Sequence, residues 1–227
     1  MKSISPLDCL IDDFPPCLEY FVANNLHSRF EQYLETMRLR KEFDSVSKAI
    51  SSDEFLVRMR DTLSGFFRLA RAVLLPSPAF EKQIREHRSE ITALEKLSLS
   101  SSEGAATRPR LWDLMQGLKL TEGQARLVSG SKALHLLLPE LMLPVDRAYT
   151  GAFLLRFSGE FDNRKEEEEI FRVAFQCFRR ITEKTNPAQY VNTHEFHTSP
   201  TKVIDNAITG FVDRGRAQLG ATDTGRT

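Results

Sequence analysis

The chain has 227 residues, 31 Lys and Arg against 31 Asp and Glu, and an apolar fraction of 41%. That balance excludes disorder over most of its length, because enough apolar surface is present to offset the entropy of ordering. A net charge of zero also lacks the basic excess usual in a dedicated nucleic-acid binder, although it leaves room for a local basic patch.

The apolar spacing is helical nearly throughout. Leu18, Phe21, Leu26, Phe30, Leu34 and Met37 predict a long first helix over about 16–43, with Pro15 and Pro16 at its start. Ser51 with Glu54 is a capping-box pattern for a second helix carrying Phe55, Met59, Leu63, Phe66, Ala70 and Val73, which Pro76 and Pro78 end. Phe80, Ile84, Ile91 and Leu94 mark a third, to about Leu97. Residues 98–109 are small and polar and read as a flexible loop or linker.

Short helices follow. Trp112, Leu114 and Met115 suggest one, and Thr121 with Gln124 caps another that carries Ala125, Leu127 and Val128. Gly130 is expected to break that run, so that 131–138 forms a separate helix ending at Pro139. Asp146 starts the next, with Tyr149, Phe153, Leu154 and Phe157. After a turn at Gly159–Asn163, Asn163 and Glu166 cap a helix to about Glu183 with Ile170, Ala174, Cys177, Phe178 and Ile181 on its stripe. Its Glu166–Glu169 run suits a first helical turn, where carboxylates complement the helix dipole. Pro187 restarts the chain, and Ser199-Pro200 opens a last helix with Val203, Ile204, Ala207, Ile208 and Phe211. No convincing strand is found.

The expected fold is all-α. Its organisation is an N-terminal helical part (1–97), the loop or linker (98–109), a helical part that carries the chemistry (110–213) and a frayed, disordered tail (214–227); the two helical parts either stand apart or form one domain. Cys9, Cys17 and Cys177 are odd in number and lack metal-ligand spacing, so neither a disulfide framework nor a cysteine metal site is expected. No apolar run approaches the ~20 residues that span a bilayer. With no secretory leader read at the N-terminus, an intracellular, cytoplasmic protein without a membrane partner is expected.

One block suggests chemistry: Gly130-Ser131-Lys132-Ala133-Leu134-His135, then Pro139, Pro144-Val145-Asp146-Arg147-Ala148-Tyr149-Thr150. A helix–turn–helix at Gly130 would expose backbone amides as an anion site. Lys132 would lie in the first turn of the second helix with His135 one turn on, and a proline-bounded loop returns Asp146 toward Lys132. A partly desolvated lysine is a nucleophile for a sugar C1′ carbon, and a neighbouring carboxylate stabilises positive charge developing there.

This block, over residues 111–157, resembles the helix-hairpin-helix DNA glycosylase superfamily, in which a Gly-rich hairpin bearing a lysine in bifunctional members precedes a Val-Asp aspartate. The resemblance implies a helix-hairpin-helix glycosylase-like core, Lys132 as the Schiff-base lysine, Asp146 as the catalytic aspartate, and Gly130 and Ser131 as phosphate contacts. His135, Arg147, Tyr149 and Trp112 join them as substrate-binding candidates. DNA is the implied partner and base excision the implied activity, with no metal and no cofactor.

Each residue also has an ordinary role open to it. Asp146 is an N-cap. Lys132 is a solvated first-turn lysine, and His135 a hydrogen-bonded buried histidine. Trp112, beside Arg108 and Arg110, either stacks a base or anchors the core. His194 and His197 have helical ligand spacing but sit in a loop-like context without a third ligand. Lys202 and Asp205 either pair with each other or return to the site. Between 104 and 150 six cations face four carboxylates, a modest local basic excess. Three readings follow: the glycosylase-like enzyme, a catalytically silent protein-interaction module, and a small-molecule enzyme built on Lys132, His135 and Asp146.

Overall fold

Serine side chains start three of the early helices. In the computed structural model, which describes residues 5–24, 30–67, 69, 73–101, 103–124, 126–154 and 164–223, Ser5 accepts from the Asp8 amide, Ser45 from Lys48 and Ser52 from Phe55. Each satisfies an amide that the helix itself leaves without a partner. They open α1 (Pro6–Asp12), α4 (Val46–Ser51) and α5 (Asp53–Ser64). The other helices are α2 (Phe14–Asn24), α3 (Phe30–Glu42), α6 (Ser77–Glu86), α7 (Arg88–Thr92), α8 (Gly104–Gly117), α9 (Leu127–Leu137), α10 (Ala152–Leu154), α11 (Arg164–Thr185) and α12 (Pro200–Asp223).

The all-α expectation is met: the described residues hold no strand, only an isolated antiparallel bridge between Leu74 and Thr121. None of their helices is long and apolar enough to cross a membrane.

Several boundaries differ from the sequence reading. The long first helix is two, α2 and α3. The second helix is capped by Ser52 rather than Ser51, because Ser51 ends α4 and spends its hydroxyl on the Ser47 carbonyl. The third is interrupted at His87, where the backbone leaves helical geometry. Thr121 caps nothing, since its segment is bound to the one before α6, with Leu75 donating to Leu120 and Glu122 to Val73. The expected loop at 98–109 is helical from Gly104, and the expected frayed tail from 214 is helical to Asp223. The readings placed on Leu26, Ala70, Ala125, Phe157, Gly159–Asn163 and 224–227 lie outside the described residues.

One continuous core joins residues from both sides of 98–109. The middle of it is α9, where ten of eleven residues are buried. A helix buried all round is an interior helix rather than an amphipathic surface one. α3, α5, α8 and α11 pack around it, and α12 crosses α2 closely. At that crossing a Cβ on Gly210 would lie 2.0 Å from the Cys17 carbonyl oxygen, so only glycine fits.

Candidate functional site

Gly130 does not break the helix. It lies inside α9, with its amide 2.8 Å from the Arg126 carbonyl. The glycine is needed for packing: a Cβ there would meet Met115 Cγ of α8 at 2.9 Å. The exposed amides expected at Gly130 and Ser131 are therefore absent. The true start of α9 is already occupied, because the buried Glu167 carboxylate of α11 accepts the Arg126 and Leu127 amides at 3.0 and 3.2 Å. Burial pushes the Glu167 pKa up, and those two bonds oppose the shift. Ser131 ties the loop to the helix instead, donating to the Val128 carbonyl and accepting the Val145 amide at 3.0 Å.

Lys132 sits in the second turn of α9, and it is not solvated: its relative exposure is 6%. Its ammonium donates to the Phe67 carbonyl at 3.1 Å and lies 5.4 Å from the Phe67 ring centre. Burial holds its pKa below the usual lysine value. Asp146 and Asp205 act against that shift, and the positive charge of Lys202 adds to it.

His135 is fully buried and held at both ring nitrogens. Nδ1 lies 2.8 Å from the Met142 carbonyl, and Nε2 lies 2.9 Å from the Tyr33 hydroxyl. A carbonyl only accepts, so Nδ1 carries the proton and Nε2 accepts from Tyr33. Tyr33 in turn accepts from Thr198 at 2.7 Å. The His135 and Tyr33 rings lie parallel, 5.8 Å apart. Burial lowers the His135 pKa to about 3 and raises that of Tyr33. This is a neutral structural histidine joining α3, α9 and the chain before α12.

Asp146 is an N-cap. Its Oδ1 accepts the Tyr149 amide at 2.7 Å, opening a π-helical turn, Arg147–Gly151, in which the Gly151 amide reaches back five residues to the Asp146 carbonyl. Arg147 is exposed. Tyr149 is half-buried, its hydroxyl 3.5 Å from Asp213 and its ring beneath the Arg216 guanidinium. Trp112 lies in the core, stacked on Phe171 at 6.1 Å, and presents no face to a base. His197 is buried with Nδ1 on Thr193, and no group of three or more metal-ligating side chains exists among the described residues.

Lys132 is thus held by Phe67 and Asp146 by the Tyr149 amide, with no hydrogen bond or ion pair between the two, and Trp112 and the Gly130 amide are taken up by the core and by α9. Lys202 binds Asp205 at 2.5 Å, as their i, i+3 spacing allowed. Tyr33, Thr198 and the Phe67 carbonyl were not legible as partners, because nothing in their local sequence points to a residue so far along the chain. A cavity of about 240 Å³ opens between α3 and the Leu137–Glu140 turn, with Thr198, Arg40 and Glu95 on its wall; Lys132 and Asp146 do not line it. No family model, no curated protein and no solved structure matches this chain.

Proposed function

We propose that this chain is a nucleic-acid-interacting protein of the helix-hairpin-helix DNA glycosylase type, with Lys132 as an amine nucleophile and Asp146 as the adjoining carboxylate. The observation that carries the reading is the state of Lys132. A buried lysine whose one hydrogen-bond partner among the described residues is a backbone carbonyl has its charged form disfavoured, and the neutral amine is the form that attacks carbon. The packed pair α8 and α9, joined through residues 118–126, supports it, with Lys132 on the second helix and Asp146 beyond the following loop.

In this reading the Lys132 nitrogen adds to the C1′ carbon of a deoxyribose. With an intact nucleotide, the C1′–base bond breaks and the base leaves with its electron pair, to be protonated. With an abasic site, the amine adds to the C1′ aldehyde, and loss of water leaves an imine. Asp146 stabilises the positive charge that develops on the sugar. Capping is compatible with that role, because the Tyr149 amide fixes the carboxylate's direction.

Borohydride supplies the hydride that reduces such an imine to a stable amine. An abasic-site duplex treated with the protein and borohydride should give a covalent adduct on denaturing gels. Lys132→Met should abolish the adduct, and Asp146→Asn should weaken it at least tenfold. No adduct from the wild type would refute the reading.

Two observations favour the second reading, a catalytically silent interaction module. Glu167 fills the helix terminus that would have held a phosphate, and Trp112 is spent on the core. Fluorescence anisotropy over a salt series separates the two. Affinity for an abasic duplex that falls steeply with salt supports DNA contact, because neutralised phosphates release counterions. No binding at low salt supports the module.

A further inference from the structure

The cavity between α3 and the Leu137–Glu140 turn lies outside the proposed catalytic pair, since neither Lys132 nor Asp146 lines it. Its volume, about 240 Å³, is far above the ~10–15 Å³ that holds one water and below the ~300–1,000 Å³ of a drug-sized site. It has the size for a small metabolite.

Part of the lining is apolar. Met37, Leu137 and Leu138 are buried there, and Leu97 is half-buried. The charged part consists of Arg40, Lys41, Glu95 and Glu140, which sum to zero.

Two of those four are spent on each other. Arg40 donates to Glu95 at 2.9 Å, to the Leu137 carbonyl at 3.3 Å and to the Phe43 carbonyl at 3.4 Å. The same Glu95 oxygen also accepts the Val46 amide. With its side chain only 12% exposed, Arg40 is fixed wall rather than free charge.

Lys41 and Glu140 are the open pair. Lys41 lowers the Glu140 pKa against the rise that partial burial causes, so the two charges feel each other. Yet among the described residues neither forms an ion pair, and neither side chain is hydrogen-bonded. Thr198 adds an acceptor. Tyr33 donates to His135, so the Thr198 proton is spent on Tyr33 at 2.7 Å and its lone pairs are left for an N–H donor.

We propose that this cavity binds a small zwitterion with an apolar side chain, an α-amino acid of the leucine type: Glu140 and Thr198 take its ammonium, Lys41 takes its carboxylate, and the apolar wall covers its side chain. A ligand of zero net charge matches the lining, whereas a simple cation or anion satisfies one member of the open pair and is repelled by the other.

The test is a ¹H–¹⁵N NMR titration of the full-length protein with L-leucine, isoamylamine and 4-methylpentanoate, which share a branched skeleton and differ in charge. Leucine should shift the Lys41, Glu140 and Thr198 amides saturably, and the amine and the acid should each bind about threefold more weakly or worse. Lys41→Met should weaken leucine by about threefold or more without weakening isoamylamine. Glu140→Gln should weaken leucine likewise and spare 4-methylpentanoate. Both positions are exposed, where substitution rarely disturbs a fold. No saturable shift by about 10 mM leucine would overturn the proposal. So would isoamylamine or 4-methylpentanoate binding as tightly as leucine, or leucine affinity unchanged in both variants. None of these readouts involves Lys132, so they stand or fall apart from the adduct experiment.

Discussion

The hydroxyl of Tyr33 donates to Nε2 of His135, 102 residues away, while Nδ1 of the same ring is held by the Met142 carbonyl. Both nitrogens are used in the neutral form, and protonation would set two donors against Tyr33. The His135 pKa falls from 6.5 to about 3 on folding. Below pH 6.5 the unfolded chain therefore binds a proton that the folded chain refuses, and folding stability is lost as the pH is lowered from 6.5 toward 3. Within that window the His135 contribution is about 1.4 kcal/mol lost per pH unit. Urea unfolding at a series of pH values checks it: the slope between pH 6.5 and 4 should be shallower in His135→Gln than in the wild type.

Lys132 is expected to trade stability for chemistry. Lys132→Met has similar length and no charge to desolvate, so it should stabilise the fold at pH 7 by about 1 kcal/mol or more, offset in part by the bare Phe67 carbonyl. The sign with pH follows from the lowered pKa. From its folded-state value up to about 10.5, the unfolded chain holds a proton that the folded one has released, so wild-type stability rises with pH over that range. Thermal melts should show this rise in the wild type and its absence in Lys132→Met. A variant less stable than the wild type at pH 7 would mark Lys132 as a structural residue.

Glu167 acts as the cap of α9 from another helix. Glu167→Ala should cost about 1–3 kcal/mol, since two amides lose their acceptor inside the protein. Glu167→Gln should cost less, because one acceptor oxygen remains. The emptied terminus should then attract anions. Sulfate should raise the Tm of Glu167→Ala more than that of the wild type, whereas equal shifts would mean that the carboxylate is not blocking an anion site.

Gly130→Ala sets two effects against each other. Alanine favours a helix interior by about 1 kcal/mol over glycine, while overpacking a core costs about 1–3 kcal/mol. With Met115 Cβ only 3.0 Å from the new methyl and its Cα at 3.3 Å, the clash should win and lower the Tm. The loss should shrink in a Met115→Ala background, which a double-mutant cycle measures.

Helices were legible where local chemistry decided them. Ser199 does accept the Lys202 amide and Pro200 does open α12, while Val203, Ile204, Ala207 and Ile208 are buried as their spacing required. Asp146 does cap the next turn. What failed was decided by packing at long range. Glycine reads locally as a helix breaker, yet Gly130 is kept inside a helix by the approach of Met115. Residues 104–109 are small and include Pro109, which reads as a stop, yet α8 runs through it. Lys132 reads as solvated because its burial depends on Phe67, 65 positions earlier, and on α12, far downstream. The lysine and the aspartate were visible as a pair of residue types; the Phe67 ring and carbonyl that hold the lysine were not.

The crossing of α2 with α12 at Gly210 bears on how the chain is made. A ribosome finishes α2 long before α12, so the apolar face holding Phe14, Leu18 and Phe21 emerges well before the helix that packs most extensively on α2. Closure of this part of the core waits for α12, about 180 residues on, and the α2 face is nascent surface open to chaperones in the interval.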